Sequence, residues 1–179
     1  MCENRIALAD KKKTVSEKTK TSSQKLPLNS VVQKKLPDNS VFYDPPTMKE
    51  ILERTGLCSE SLSELCLTTV APTIRHLIGS YGDDINPRID TLEDVGTALK
   101  THWIINPGHE VFSIFNSEKL SLIATAMNAK KIEIANGSGI TRQALHEIMT
   151  GKSIAMLKTA RRIGDYLKVT FYTDIRPGP

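Results

Sequence analysis

Lys131–Thr150 reads KIEIANGSGITRQALHEIMT, and the nature of the rest of the chain turns on how it folds. Ala135 stands four residues before Gly139, with Ile134, Ile140, Leu145 and Ile148 placed around the glycine. Two short helices that cross steeply need a small side chain where their backbones approach. They also need a residue that tolerates positive φ in the turn between them. The spacing therefore predicts a helix-turn-helix, with the apolar set filling the space between its two helices. Thr141 suits the N-cap of the second helix, and Thr150-Gly151 supplies its end.

Arg142, Gln143, Ala144, His146 and Glu147 are then left pointing away from that small core. Arg and Gln can read guanine and adenine edges through paired hydrogen bonds. The first residues of the second helix are the ones such a unit lays in the major groove. Arg142, Gln143 and His146 are thus expected to face base edges. Lys130, Lys131, Thr141, Lys152 and Lys158 are expected to contact phosphates. For each lysine a solvated surface charge is the competing reading.

Charge is segregated along the 179 residues. Residues 1–46 hold nine basic and five acidic residues, residues 47–116 five and ten, and residues 117–179 ten and five. The positive field sits on the half that carries the motif and on the N-terminal arm, where a polyanion binder needs it. Nine aromatic residues are too few for an extended stacking surface, which argues for duplex rather than single-stranded nucleic acid. No apolar run suggests a membrane span and no signal peptide is evident, so a cytoplasmic protein is expected. Cys2, Cys58 and Cys66 are read as reduced thiols, and neither they nor the four histidines have metal-ligand spacing, so no metal or cofactor is expected. No nucleophile–base pair or phosphate-cradling glycine loop is visible. His109-Glu110 and Asp83-Asp84 read as solvated loop residues, and no enzymatic activity is expected.

Three segments follow. Residues 1–46 are rich in Lys, Ser, Thr, Asn and Pro without a sustained period and read as a disordered basic arm. Residues 47–115 read as an acidic helical segment. Thr47 and Glu50 form a capping box for a helical stretch to Cys66, a helix follows from Val70 to Tyr81, and another runs from Asp90 to Thr101. Ile51, Gly56, Leu57, Leu62, Glu64 and Leu65 echo Ile134, Gly139, Ile140, Leu145, Glu147 and Ile148 at a constant offset of 83. Residues 116–179 form the DNA-binding domain. Asn116 or Ser117 caps a helix whose buried stripe is Leu120, Ile123, Ala124 and Met127. Ser153 caps a last helix with Leu157, Ala160, Ile163, Gly164 and Leu167 inward. Val169–Ile175 alternates as a terminal strand, which needs a partner within the chain or across a homodimer.

Ser117–Val169 resembles the lambda-repressor/Cro type of DNA-binding domain. IEIANGSGITRQALHEIMTGK is flanked by a helix on each side, and LKTARRIGDYLKV ends in Leu167-Lys168-Val169 as that family's last helix often does. Gly139-Ile140-Thr141-Arg142-Gln143-Ala144-Leu145 is most similar to the antidote proteins of addiction modules and to prophage regulators. Two positions depart from the pattern: Gly137 lies inside the first motif helix, and Ser153-Ile154 replaces the Asn-Pro that often follows the Gly. The resemblance implies an all-α fold with a helix-turn-helix in the C-terminal half, an extra helical segment before it and a short terminal strand. It implies a sequence-specific transcriptional regulator, a repressor of antidote type, that binds double-stranded DNA as a homodimer. The alternative is an interaction module that holds a basic partner, such as a toxin, through residues 47–116.

Overall fold

The computed structural model describes residues 27–80 and 85–176. The expected disordered arm lies partly outside them. Within them it is corrected, because Leu28–Ser30 forms a 3-10 turn, Ser40–Phe42 a strand, and Val31 and Tyr43 are buried. Asp83-Asp84 and the end of the expected Val70–Tyr81 helix also lie outside the described residues.

The chain is not all-α. Among the described residues eight helices surround a four-stranded mixed sheet, so the fold is α/β. The first half runs β1 (Ser40–Phe42), α1 (Pro45–Thr55), α2 (Ser59–Leu65), α3 (Ala71–Leu77), α4 (Ile89–Leu99) and β2 (His102–Ile104). The second half runs β3 (Phe112–Ile114), α5 (Ser117–Ala126), α6 (Lys131–Ser138), α7 (Arg142–Met149), α8 (Leu157–Leu167) and β4 (Thr170–Tyr172). The two halves have the same order of elements: a strand, four helices, a strand.

The sheet makes the likeness a symmetry. Its order is β1-β2-β4-β3; β1 pairs parallel to β2, β3 parallel to β4, and the two inner strands meet antiparallel. That is the arrangement of two parallel pairs related by a two-fold axis between β2 and β4. Reciprocal backbone hydrogen bonds cross the same axis. Ile105 N–H donates to Phe171 O (2.8 Å), and Thr173 N–H donates to Trp103 O (2.9 Å). Ile89 N–H donates to Ala155 O (3.0 Å), and Leu157 N–H donates to Pro87 O (2.7 Å).

Equivalent positions are capped alike. Asp44 accepts from Thr47 N–H at the start of α1, and Asn116 accepts from Lys119 N–H at the start of α5. Gly56 and Asn128 close those helices at positive φ, and Lys100 and Lys168 do the same for α4 and α8. Each half also has a helix glycine with no room for a Cβ. At Gly96 the Cβ would lie 2.6 Å from Thr101 O, and at Gly164 it would run into the Asn106 amide. Asn106 in turn donates to Val169 O and accepts from Phe171 N–H, which fixes the β2–β3 connection against α8 and β4.

One hydrophobic core runs through both halves, from Val31 to Phe171, with Trp103 and Phe171 fully buried at equivalent places. The boundary drawn at residues 115 and 116 therefore separates two segments that share a sheet and a core. Several local expectations are corrected. Asp44 rather than Thr47 caps α1, α8 begins at Leu157 behind Met156 rather than at Ser153, and Met127 is exposed. The strand expected at Val169–Ile175 is β4, three residues long. It takes both partners from its own chain, which removes the edge on which the expected homodimer rested. Among the described residues no helix is long and apolar enough to cross a membrane.

Candidate nucleic-acid interface

Helices α6 and α7 form the pair that the glycine spacing predicts. Gly139 takes φ +65°, and Ile140 N–H reaches back to Ala135 O at 3.0 Å, which seals the end of α6. Thr141 turns the chain: its hydroxyl accepts from Ala144 N–H at 3.1 Å and caps α7. Ile134, Ala135, Leu145 and Ile148 are buried, with Ile140 packed at the margin. Gly151, at φ +72°, lies just beyond the end of α7.

Gly137 has a reason that its position in the sequence does not reveal. A Cβ there would run into the ring of Tyr166 on α8. Alanine is the better helix former by roughly 1 kcal/mol. Here the glycine lets α8 lie directly against α6.

Arg142, Gln143 and His146 come together with Lys131 around one surface concavity at the N-terminal ends of α6 and α7. Arg142 and Gln143 are exposed, and His146 is half-buried. Lys131 Nζ lies 3.3 Å from His146 Nδ1 and so links the two helices. Gln143 Nε2 donates to Glu147 Oε1 at 2.6 Å, one turn along α7. Among the described residues Arg142 makes no ion pair.

The remaining expected phosphate ligands are spread around this centre. Lys130 precedes α6 and pairs with Glu133 at 3.6 Å, while Glu133 also accepts from the Lys130 N–H. Thr141 is exposed, but its hydroxyl is engaged as the cap. Lys152 is exposed beyond the end of α7. Lys158 lies elsewhere, in the first turn of α8, where its N–H donates to Asn86 Oδ1 at 2.8 Å beside the axis between the halves. The structure thus groups Lys131 with the three expected base readers and leaves Lys158 apart from them.

Arg161, on α8, points inward rather than to solvent. It is half-buried, donates to Ile105 O and Tyr43 O at 2.7 and 2.9 Å, and stacks over Phe42. It ties the two halves together.

The first half holds the twin of this helix pair in α2 and α3. Ile74 and Leu77 are buried where α7 buries Leu145 and Ile148. Ala71, Pro72 and Arg75 then stand where α7 has Arg142, Gln143 and His146. Arg75 Nη2 lies 2.9 Å from Glu60 Oε1. The connection between α2 and α3 is held by buried Asp94, which accepts from the N–H groups of Leu67, Thr68 and Thr69 and from both threonine hydroxyls. Burial alone would raise its pKa, but these hydrogen bonds outweigh burial and hold it at about 2. The likeness visible in the sequence, at an offset of 83, falls on α1–α2 and so leaves this twin hidden.

No family model matches the chain, and no similar curated protein or solved structure was found.

Proposed function

We propose that the protein is a sequence-specific DNA-binding regulator of transcription that reads duplex DNA with α7. The observation that carries this reading is the grouping of Arg142, Gln143, His146 and Lys131 on one exposed face at the start of a capped helix. These are the residue types that read base edges, set beside a cation suited to a phosphate. Lys130, next to Lys131, and Lys152, beyond the far end of α7, are further exposed cations that could meet phosphates. A regulator of this kind acts in the cytoplasm, and repression by occupying an operator is the simplest mode. The test is retention of duplexes from a genomic DNA library by the purified protein, followed by sequencing. Enrichment of a defined motif that is lost with Arg142→Ala and Gln143→Ala supports the reading. Equal binding by parent and variants overturns it.

A second reading has its own observation. Leu65, Leu67 and Val70 are 57, 63 and 59% exposed around the α2–α3 connection, beside Glu60 and Glu64. An apolar patch with an acidic rim suits a basic protein partner. In that case residues 47–116 carry the activity and DNA binding is secondary. Pull-down of a basic protein that survives Arg142→Ala but is lost with Leu67→Ser would favour this reading.

A further inference from the structure

We infer that one chain binds one asymmetric half-site of duplex DNA, because the chain's own first half occupies the place of a second subunit and lacks the means to read DNA. The inference rests on α7 being a DNA-reading helix and names the form of its ligand.

Readers of palindromic sites commonly present two recognition helices by pairing two identical subunits about a two-fold axis. Here the axis lies within one chain. The contacts that such an axis generates in pairs are all intramolecular: Ile105 with Phe171 and Trp103 with Thr173 in the sheet, Ile89 with Ala155 and Pro87 with Leu157 between the helical layers. Both inner strands are paired on both sides. The outer edge of β3 is met by Gln33, which exchanges backbone hydrogen bonds with Phe112 at 2.8 and 3.1 Å. The β2–β4 seam on which a second copy would repeat this symmetry is already filled.

The two heads differ in chemistry. At the places of Arg142 and Gln143 the first half has Ala71 and Pro72, neither of which has a hydrogen-bonding side chain. Arg75, at the place of His146, is neutralised by Glu60. At the places of Lys130 and Lys131 stand Cys58 and Ser59, and Ser59 is buried. With Glu60 paired to Arg75, exposed Glu64 leaves α2 with a net negative charge, which disfavours a phosphate backbone. The pseudo-symmetric pair therefore has one head for duplex DNA and one without contacts to offer it.

The test uses the full chain and a library of duplexes with a randomised core. Selected sequences are aligned, and the complex is weighed by light scattering beside the free protein. The expected outcome is a motif without two-fold symmetry, one 19.8 kDa chain per duplex, and a free protein of the same mass. Arg75→Ala should bind within two-fold of the parent, while Arg142→Ala loses roughly 5- to 150-fold, the equivalent of about 1–3 kcal/mol. A palindromic motif with two chains per duplex overturns the inference and leaves the DNA-binding reading standing. So does a loss with Arg75→Ala equal to that with Arg142→Ala, since the first head would then read bases too. Selection of no motif by a protein that melts cooperatively overturns the DNA-binding reading itself, and this inference with it.

Discussion

Lys131 Nζ lies 3.3 Å from His146 Nδ1, so a cation on the first helix of the pair is held against the outward face of the second. The contact fixes where positive charge stands relative to Arg142 and Gln143. On the proposed reading, Arg142 reads bases and Lys131 anchors the DNA backbone.

Reading and anchoring should respond differently to mutation. Arg142→Ala is expected to cost about 1–3 kcal/mol on the selected site and to relax preference at one or two base pairs. Lys131→Ala should weaken all duplexes alike and reduce the slope of log K against log salt by about one. Titrations at several salt concentrations, on the selected and a scrambled duplex, measure both. A sequence-selective effect of Lys131→Ala would mean that it reads a base.

Leu145 is fully buried between α6 and α7, whereas Arg142 is exposed. Leu145→Ala should cost on the order of 2–5 kcal/mol of stability and remove binding by loss of the folded helix pair. Arg142→Ala should leave the melting temperature within a degree or two. Thermal denaturation followed by circular dichroism distinguishes the two variants.

Gly137→Ala inverts the usual rule for helices. The added methyl meets the Tyr166 ring, so the variant should melt lower than the parent despite alanine's propensity. In a Tyr166→Ala background the same change should be neutral or stabilising by up to about 1 kcal/mol. A double-mutant cycle measures the change of sign. Destabilisation of equal size in both backgrounds would show that Tyr166 is not the cause.

Two adjacent carboxylates on α4 should shape stability in opposite directions with pH. Asp94 is held at about 2 by the donors of the α2–α3 connection, against an ordinary value near 4. The unfolded chain therefore takes up a proton first as pH falls, and the stability that Asp94 provides is present above about pH 4 and lost toward pH 2. It amounts to about 2 kcal/mol. Burial pushes Glu93 up to about 6, opposed by Arg176. Its folded form keeps a proton that the unfolded chain has lost, so stability should decline between about pH 4.5 and 6 and level off above. Denaturant titrations from pH 3 to 7 should show a maximum near pH 4–5. Glu93→Gln should flatten the upper limb and leave the acid limb in place.

The α6–α7 pair was legible because its determinants are local. A glycine at positive φ, a cap three residues from its donor and buried positions one turn apart are all set within about ten residues. Thr141, Gly139, Leu145 and Ile148 have the roles that their spacing indicates. The offset of 83 was also a true local likeness, since Gly56 and Gly139 both take positive φ and Cys58 and Thr141 both precede a helix. It was not the relation on which the fold is built. By place in the sheet, α1 matches α5, at an offset of 72. Loops of unequal length reduce that offset to 71 between α3 and α7 and to 68 between α4 and α8. No constant period survives for a sequence to display.

The sheet was hidden for a related reason. Each strand is three residues long, too short for alternation to register, and β2 finds β4 across 65 residues of intervening chain. Hydrogen bonding between such segments is stable only once eight helices bring them together around Trp103 and Phe171. By itself, then, the sequence determined the α6–α7 pair, its Gly139 turn, its Thr141 cap and the residues that face outward on α7. Tertiary packing decided that the chain has a sheet, that it pairs with itself about an internal axis, and that α2–α3 is the counterpart of α6–α7, because those properties depend on contacts between residues far apart in the chain.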